Sequence, residues 1–92
     1  MARHIIVVGH VQGVGFRFKS QQTAIKHKLA GWVRNNPDGT VEMEISGAEE
    51  NMDHFLNEVK SGFNHAIQVD DVQVKHTNKE MHHHGFTIES YF

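Results

Sequence analysis

The fold is decided by the segment Ile5-Ile6-Val7-Val8-Gly9-His10-Val11-Gln12-Gly13-Val14-Gly15-Phe16-Arg17. Its first four residues form a continuous run of β-branched side chains. Such a run is typical of a central strand, and we expect it to be covered on both faces. Residues 10–17 contain two more glycines and show no helical period, so they predict a loop with special backbone conformations.

A helix is predicted directly after this loop, over residues 18–28. Phe18, Ile25 and Leu29 recur at helical spacing and fit one apolar stripe of the kind that faces a core. Residues 31–35 then predict a second strand. We expect this strand to end at a turn. The residues that follow favour a turn, because Pro presets φ and Gly accepts a positive φ. The turn residues are Asn36-Pro37-Asp38-Gly39.

The rest of the chain predicts three more strands and a second helix. The third strand alternates two glutamates with the apolar residues Val41, Met43 and Ile45. The second helix has the clearest helical period, in Met52, Phe55, Leu56, Val59 and Phe63. We expect Ser46 and Glu49 to form a capping box before this helix and Gly62 to end it. Residues 69–74 and 86–91 predict two strands, joined by a polar connection.

The predicted order is β-α-β-β-α-β, the split βαβ arrangement of a ferredoxin-like α+β domain. Such a domain has a mostly antiparallel sheet with two helices on one face. A right-handed crossover makes the first two strands parallel, so their carboxyl ends meet at one edge of the sheet. The glycine loop and Asn35 follow those ends, and we expect a ligand site there. No linker or repeat interrupts the chain, so we expect a single domain over residues 1–92.

Composition excludes several classes of function. The chain has no Cys, which rules out disulfides, thiolate nucleophiles and thiolate metal sites. Its formal net charge of −2 argues against sequence-independent nucleic-acid binding, although nine His residues make the charge depend on pH near neutrality. The apolar run near the N-terminus is too short for a signal peptide or a membrane span. We therefore expect a cytoplasmic protein, a monomer, with neither a nucleic-acid nor a membrane partner.

The glycine loop has the chemistry of an anion site. A loop with several glycines that runs into a helix can turn backbone N–H groups toward one point. Arg17 adds a guanidinium that matches two phosphoryl oxygens. The loop lacks the Gly-Lys-Ser/Thr of a Walker A motif and the glycine spacing of a dinucleotide fingerprint. From the loop alone, a turn tightened for packing with Arg17 in solvent is an equally good interpretation.

Two segments together resemble the signature segments of the acylphosphatase family. The first is Val11-Gln12-Gly13-Val14-Gly15-Phe16-Arg17. The second is Gly31-Trp32-Val33-Arg34-Asn35, followed by Asp38-Gly39-Thr40-Val41-Glu42. The resemblance covers nearly the whole chain, including the ending Phe86-Thr87-Ile88. It implies a hydrolase of acyl phosphates in which the loop amides and Arg17 bind the phosphoryl group and Asn35 positions the attacking water.

The implied chemistry needs few groups. An acyl phosphate leaves as a carboxylate, which departs without a general acid, so we expect neither a metal nor a cofactor. The chain departs from the family at His10, where Arg is common, and at Ser90, where Tyr is frequent; His10 predicts a less cationic loop. A non-catalytic phosphate-sensing or interaction module of the same fold is the alternative. The run His82-His83-His84 is a weaker candidate for metal binding.

Overall fold

The computed structural model describes residues 1–77 and 85–89. Its elements are β1 (Ala2–His10), α1 (Phe16–Lys26), β2 (Ala30–Asn35), β3 (Val41–Ser46), α2 (Glu49–Ser61), β4 (Gln68–Thr77) and β5 (Phe86–Glu89). The strands form one sheet in the order β4-β1-β3-β2-β5. All neighbouring strands are antiparallel except β2 and β5, which are parallel. The predicted ferredoxin-like α+β fold is confirmed. The strand predicted over residues 86–91 is β5, a fifth strand beyond the four of the β-α-β-β-α-β order, and it lies at the edge of the sheet beside β2.

The position of β3 brings the two predicted site segments to one edge of the sheet. β3 lies between β1 and β2 and is antiparallel to both, so β1 and β2 run in the same direction. Val41 pairs with Val7 on one side and with Asn35 on the other. Asn35 therefore stands level with Val7, three residues before β1 ends at His10 and the glycine loop follows.

The core lies on the face of the sheet that the helices cover. Side chains of β1 alternate along the strand: Ile5 and Val7 are fully buried, whereas Ile6 and Val8 are only partly buried. The expectation that β1 is covered on both faces was therefore wrong. β1 is central in the sheet, but both helices pack on one face, and among the described residues no helix covers the other face.

Helix α1 differs most from its prediction. It begins two residues earlier than expected, and its buried residues are Phe16, Ser20, Thr23 and Ala24. Phe18 and Ile25 of the predicted apolar stripe are 54% and 58% exposed, so the prediction was wrong for these two residues. Leu29 is buried as expected, but it lies beyond the end of the helix. The physical reason for the error is that, apart from Phe16, the residues buried by this helix are small or polar, so its buried face has no apolar period. Thr23 can be buried because its hydroxyl donates to the Lys19 carbonyl at 2.8 Å.

Helix α2 follows its predicted pattern except at its start and at Phe63, which lies beyond the end of the helix and is only partly buried. Its buried residues are Met52, Phe55, Leu56 and Val59, and Gly62 ends it in the left-handed conformation. The predicted capping box was wrong, because Ser46 is the last residue of β3 and Ala48 is the N-cap, with no side-chain hydrogen bond. Glu49 and Glu50 in the first turn stabilise this end of the helix through its dipole instead.

The strand β4 is longer than its sequence pattern predicts. β4 continues to Thr77, into the segment predicted as a polar connection. The prediction ended the strand too early because β4 is an edge strand with mostly exposed side chains, so its sequence is polar. The run His82-His83-His84 and Ser90 lie outside the described residues. Within the described part of the chain, neither helix has the length and apolar character needed to cross a membrane.

Candidate active site

A cavity of about 180 Å³ opens at the sheet edge where β1 and β2 end. Its lining residues come from the glycine loop, the first turn of α1, the end of β2 and β5. They are Val11, Gly13, Gly15, Phe16, Arg17, Phe18, Asn35 and Ile88. The structure thus brings Arg17 and Asn35, which are distant in sequence, to one cavity.

The loop and the first turn of α1 present unused backbone donors. Gly15 is the N-cap of α1, with φ 81° and ψ 13°, and no side chain caps this end of the helix. Within residues 1–77 and 85–89, no hydrogen bond uses the N–H groups of residues 11–18. The first turn of α1 also contains no acidic residue. These N–H groups and the positive end of the helix dipole favour an anion at this point.

Arg17 is the second residue of α1 and is partly buried. A cation near a helix N-terminus opposes the helix dipole, so this position does not stabilise the helix. Arg3 and Arg34 each hold a carboxylate, of Asp53 at 2.7 Å and of Glu42 at 3.0 Å. In the described part of the chain Arg17 has no such partner, so its guanidinium is free to bind an anion in the cavity.

Asn35 contributes a buried oxygen to the same cavity. As the last residue of β2 it shares the helix-facing side of the sheet with Val33. Its side-chain Oδ1 is buried and has no hydrogen-bond partner among the described residues. A buried carbonyl oxygen without a partner costs about 1–3 kcal/mol, so this atom is a strong acceptor for a polar molecule in the cavity.

The side chain of Gln12 fixes the loop relative to Asn35. Its Nε2 donates to the carbonyl oxygens of Asn36 at 2.7 Å and Thr40 at 2.9 Å, both in the turn that follows β2. The turn is itself held together, because Asp38 accepts hydrogen bonds from the hydroxyl and the N–H of Thr40. The Thr40 hydroxyl, followed by its N–H, lowers the pKa of the Asp38 carboxyl. Gln12 therefore connects the two halves of the site.

The predicted site residues fall into two groups. Val11, Gly13, Gly15, Phe16, Arg17 and Asn35 line the cavity, whereas the lining does not include Gln12 or Val14. Gln12 reaches the turn instead, and Val14 packs against the core. His10 is exposed at the end of β1 and is not a lining residue, so its expected effect on the loop stays a prediction.

Sequence reasoning missed two apolar lining residues, Phe18 and Ile88. Phe18 was placed in the helix stripe, and Ile88 was noted only as part of the chain's ending. The adjacency of Phe18 to Arg17 was the one available signal, and a weak one, since neighbouring residues of a helix point about 100° apart. Within the described ranges, no group of three or more His, Asp and Glu side chains could hold a metal ion.

Comparison with known proteins gives consistent matches. The sequence pattern of the acylphosphatase family matches residues 3–88. Acylphosphatase of Bacillus subtilis (strain 168) is 45% identical over 84 residues, which is 91% of each chain. That of Oceanobacillus iheyensis is 49% identical over 75 residues, 79% of this chain and 82% of the relative. That of Geobacillus kaustophilus is 54% identical over 59 residues, and the match spans 63% of its length.

Solved structures give the same result. The crystal structure of acylphosphatase from Bacillus subtilis superposes with a TM-score of 0.90 at 43% identity, covering 97% of this chain and 99% of that one. Full-length HypF, in its phosphate- and nucleotide-bound form, gives a TM-score of 0.88 at 33% identity. The match covers 97% of this chain but 12% of HypF, so the same fold also occurs as a small part of a longer protein.

Proposed function

This chain belongs to the acylphosphatase family of enzymes, and from that premise we propose that it hydrolyses the carboxyl-phosphate bond of acyl phosphates. The products are a carboxylate and inorganic phosphate. The observation that carries the proposal is the shared cavity. It joins loop N–H groups and a guanidinium that have no partner among residues 1–77 and 85–89 with a buried carboxamide oxygen.

The phosphoryl group binds at the start of α1. The N–H groups of residues 11–17 surround its oxygens, and Arg17 supplies a guanidinium that contacts two of them. Phosphoryl transfer passes through a loose transition state with charge on the three equatorial oxygens. Donors that are already in place stabilise that charge without reorganising during the reaction.

Asn35 orients the attacking water. Its amide both donates and accepts hydrogen bonds, so it fixes the orientation of a water without acting as a base. The buried Oδ1 accepts one hydrogen from that water, and the oxygen of the water then attacks phosphorus in line with the bond to the acyl oxygen. The new P–O bond forms as the bond to the acyl oxygen breaks. One proton of the water passes to a phosphoryl oxygen, and the other stays on the attacking oxygen, which becomes a hydroxyl of the phosphate product.

The cavity needs no proton donor for the leaving group. A carboxylic acid has a pKa of about 4, so the acyl oxygen departs as a carboxylate at neutral pH. This agrees with the described lining, which contains no carboxylate and no imidazole. We accordingly expect hydrolysis in the presence of EDTA, without a metal or a cofactor.

Kinetics of the Arg17 and Asn35 variants test the proposal. With acetyl phosphate and EDTA, Arg17→Ala should lower kcat/KM about 10³-fold, the scale of an arginine in phosphoryl transfer. Lys19→Ala is the matched control, because Lys19 is an exposed cation of α1 outside the cavity lining. Asn35→Ala should lower kcat about 100-fold while the inhibition constant of phosphate stays within twofold. Asn36→Ala should change kcat little, since the Asn36 amide donates to the Thr40 hydroxyl and does not line the cavity.

The same measurements separate an enzyme from a phosphate-sensing module. Phosphate binding by the wild-type chain without turnover of any acyl phosphate would favour the module. Full activity of Arg17→Ala would refute the assigned site. We further propose that residues 1–92 act as one domain and as a cytoplasmic monomer; light scattering during size-exclusion chromatography tests the oligomeric state.

A further inference from the structure

Two exposed apolar side chains stand at the cavity. The described part of the chain has five large hydrophobic residues on its surface: Met1, Phe18, Ile25, Val74 and Ile88. Of these, Phe18 and Ile88 line the cavity that also holds Arg17 and Asn35. Phe18 is 54% exposed and Ile88 is 39% exposed. Exposed apolar area at a site, with polar groups beside it, is typical of a ligand-binding surface.

Both side chains are carried by regular elements that are fixed to each other. Phe18 lies in the first turn of α1, and Ile88 lies in β5, where it pairs with Val33 of β2. Gln21, one turn after Phe18, donates from Nε2 to the Phe86 carbonyl of β5 at 2.9 Å. The relative position of Phe18 and Ile88 is therefore set by the fold.

The cavity has room for more than a phosphoryl group. A cavity of about 150 Å³ lined by Leu, Ile and Phe accommodates benzene, and this one has about 180 Å³. Once Arg17, the loop N–H groups and Asn35 are assigned to the phosphoryl group and water, the remaining lining side chains are apolar. They are Val11, Phe16, Phe18 and Ile88.

We propose that Phe18 and Ile88 form the subsite for the acyl group and select apolar or aromatic acyl phosphates over those whose acyl group carries a charge. The proposal rests on the proposed function of the same cavity. Apolar atoms of the acyl group gain by leaving water against Phe18 and Ile88. A carboxylate on the acyl group would lose water there, and the described lining offers it no cation besides Arg17, which holds the phosphoryl group.

Substrate comparison across variants tests this subsite. The kcat/KM values of benzoyl, acetyl and succinyl phosphate are measured for the wild type, Phe18→Ala, Ile88→Ala and Ile25→Ala, and the inhibition constant of inorganic phosphate is measured alongside. Phe18→Ala should lower kcat/KM about tenfold for benzoyl phosphate. It should change kcat/KM for acetyl and succinyl phosphate less than threefold. The inhibition constant of inorganic phosphate should change less than twofold. Ile88→Ala should act in the same direction.

Ile25→Ala is the matched control, because Ile25 is an equally exposed residue of α1 that does not line the cavity. It should leave all three substrates unchanged. Phe18→Leu should recover part of the activity toward benzoyl phosphate, which separates lost contact from a disturbed helix. Equal losses for all three substrates in Phe18→Ala, or no change in the benzoyl-to-acetyl ratio in either cavity variant, would overturn the subsite. Phosphate binding by a wild type that hydrolyses none of the three would overturn the proposed function as well.

Discussion

The two helices pack on the same face of one sheet, yet they are built for different purposes. α2 begins with two acidic residues, as its dipole favours, and buries four large apolar side chains. α1 begins with no acidic residue, carries Arg17 in its first turn, and buries three small or polar residues besides Phe16. Helix α2 therefore contributes large apolar side chains to the core, whereas the start of α1 offers the N–H groups and the cation that the proposed function assigns to an anion.

The arginines near the two helix starts show the same contrast. Arg3 of β1 is buried and reaches the first half of α2, with an ion pair to Asp53 at 2.7 Å and a longer one to Glu49 at 3.9 Å. Arg17 has no carboxylate partner within the described ranges. One cation is therefore used to hold a helix on the sheet, and the other is kept available at the cavity.

The largest expected difference between the helices is in stability. Phe55→Ala in α2 should lower the free energy of unfolding by about 3–5 kcal/mol, because it leaves a cavity in the core, where Phe55 is fully buried. Ile25→Ala in α1 should change it by less than about 0.5 kcal/mol, because Ile25 is exposed. Urea denaturation followed by circular dichroism measures both. Comparable losses in the two variants would contradict the contrast between α1 and α2.

This difference also explains which parts could be predicted from the sequence. The buried face of α2 is visible because its apolar residues recur with the helical period. The buried face of α1 is not visible, because Ser20 and Thr23 look polar in sequence and the burial of Thr23 depends on a local hydrogen bond. The apolar stripe that does recur in α1 lies on the exposed side, at Phe18 and Ile25.

The site was predictable only in part for a related reason. The glycine loop, Arg17 and Asn35 could be found from their residue types and from the parallel direction of β1 and β2, which places them at one edge. Their separate roles are implied only by the resemblance to family motifs. The hydrogen bonds of Gln12 to the turn and the position of Ile88 beside α1 depend on contacts between distant segments. No local pattern encodes such contacts, so they became visible only in the structure.

Two glycines, one at the start of α1 and one at the end of α2, predict effects of intermediate size. Gly15 starts α1 with φ 81°, and Gly62 ends α2 with φ 78°. A Cβ at residue 15 would meet no atom within 4 Å, whereas at residue 62 it would lie 2.9 Å from the Ile67 carbonyl oxygen. Gly15→Ala should lower the free energy of unfolding by about 1 kcal/mol, from the left-handed conformation alone, and Gly62→Ala by about 2 kcal/mol or more.

Activity should rank these two variants in the opposite order. Gly15→Ala should lower kcat/KM for acetyl phosphate about tenfold or more, because it shifts the loop N–H groups relative to the phosphoryl group. Gly62→Ala, assayed at a temperature where it is folded, should keep the activity of the wild type, since Gly62 does not line the cavity. If Gly62→Ala lost activity and Gly15→Ala kept it, the start of α1 would have no special role in catalysis.

The smallest expected effect lies where the two helices meet. Glu58 of α2 accepts hydrogen bonds from His27 and, at 2.9 Å, from Lys26 at the end of α1. The bond from His27, followed by that from Lys26, lowers the pKa of Glu58 below its usual value of 4.5. A lowered pKa in the folded state adds stability above the pKa of the unfolded chain, and this stability is lost as the pH falls through the folded value. Because the Glu58 side chain is 37% exposed and solvent screens it, Glu58→Gln should lower the free energy of unfolding at pH 7 by only about 0.5 kcal/mol. Urea denaturation at pH 7 and pH 3 should show this difference at the higher pH only; a difference that persists at pH 3 would mean that Glu58 acts through packing, not through its charge.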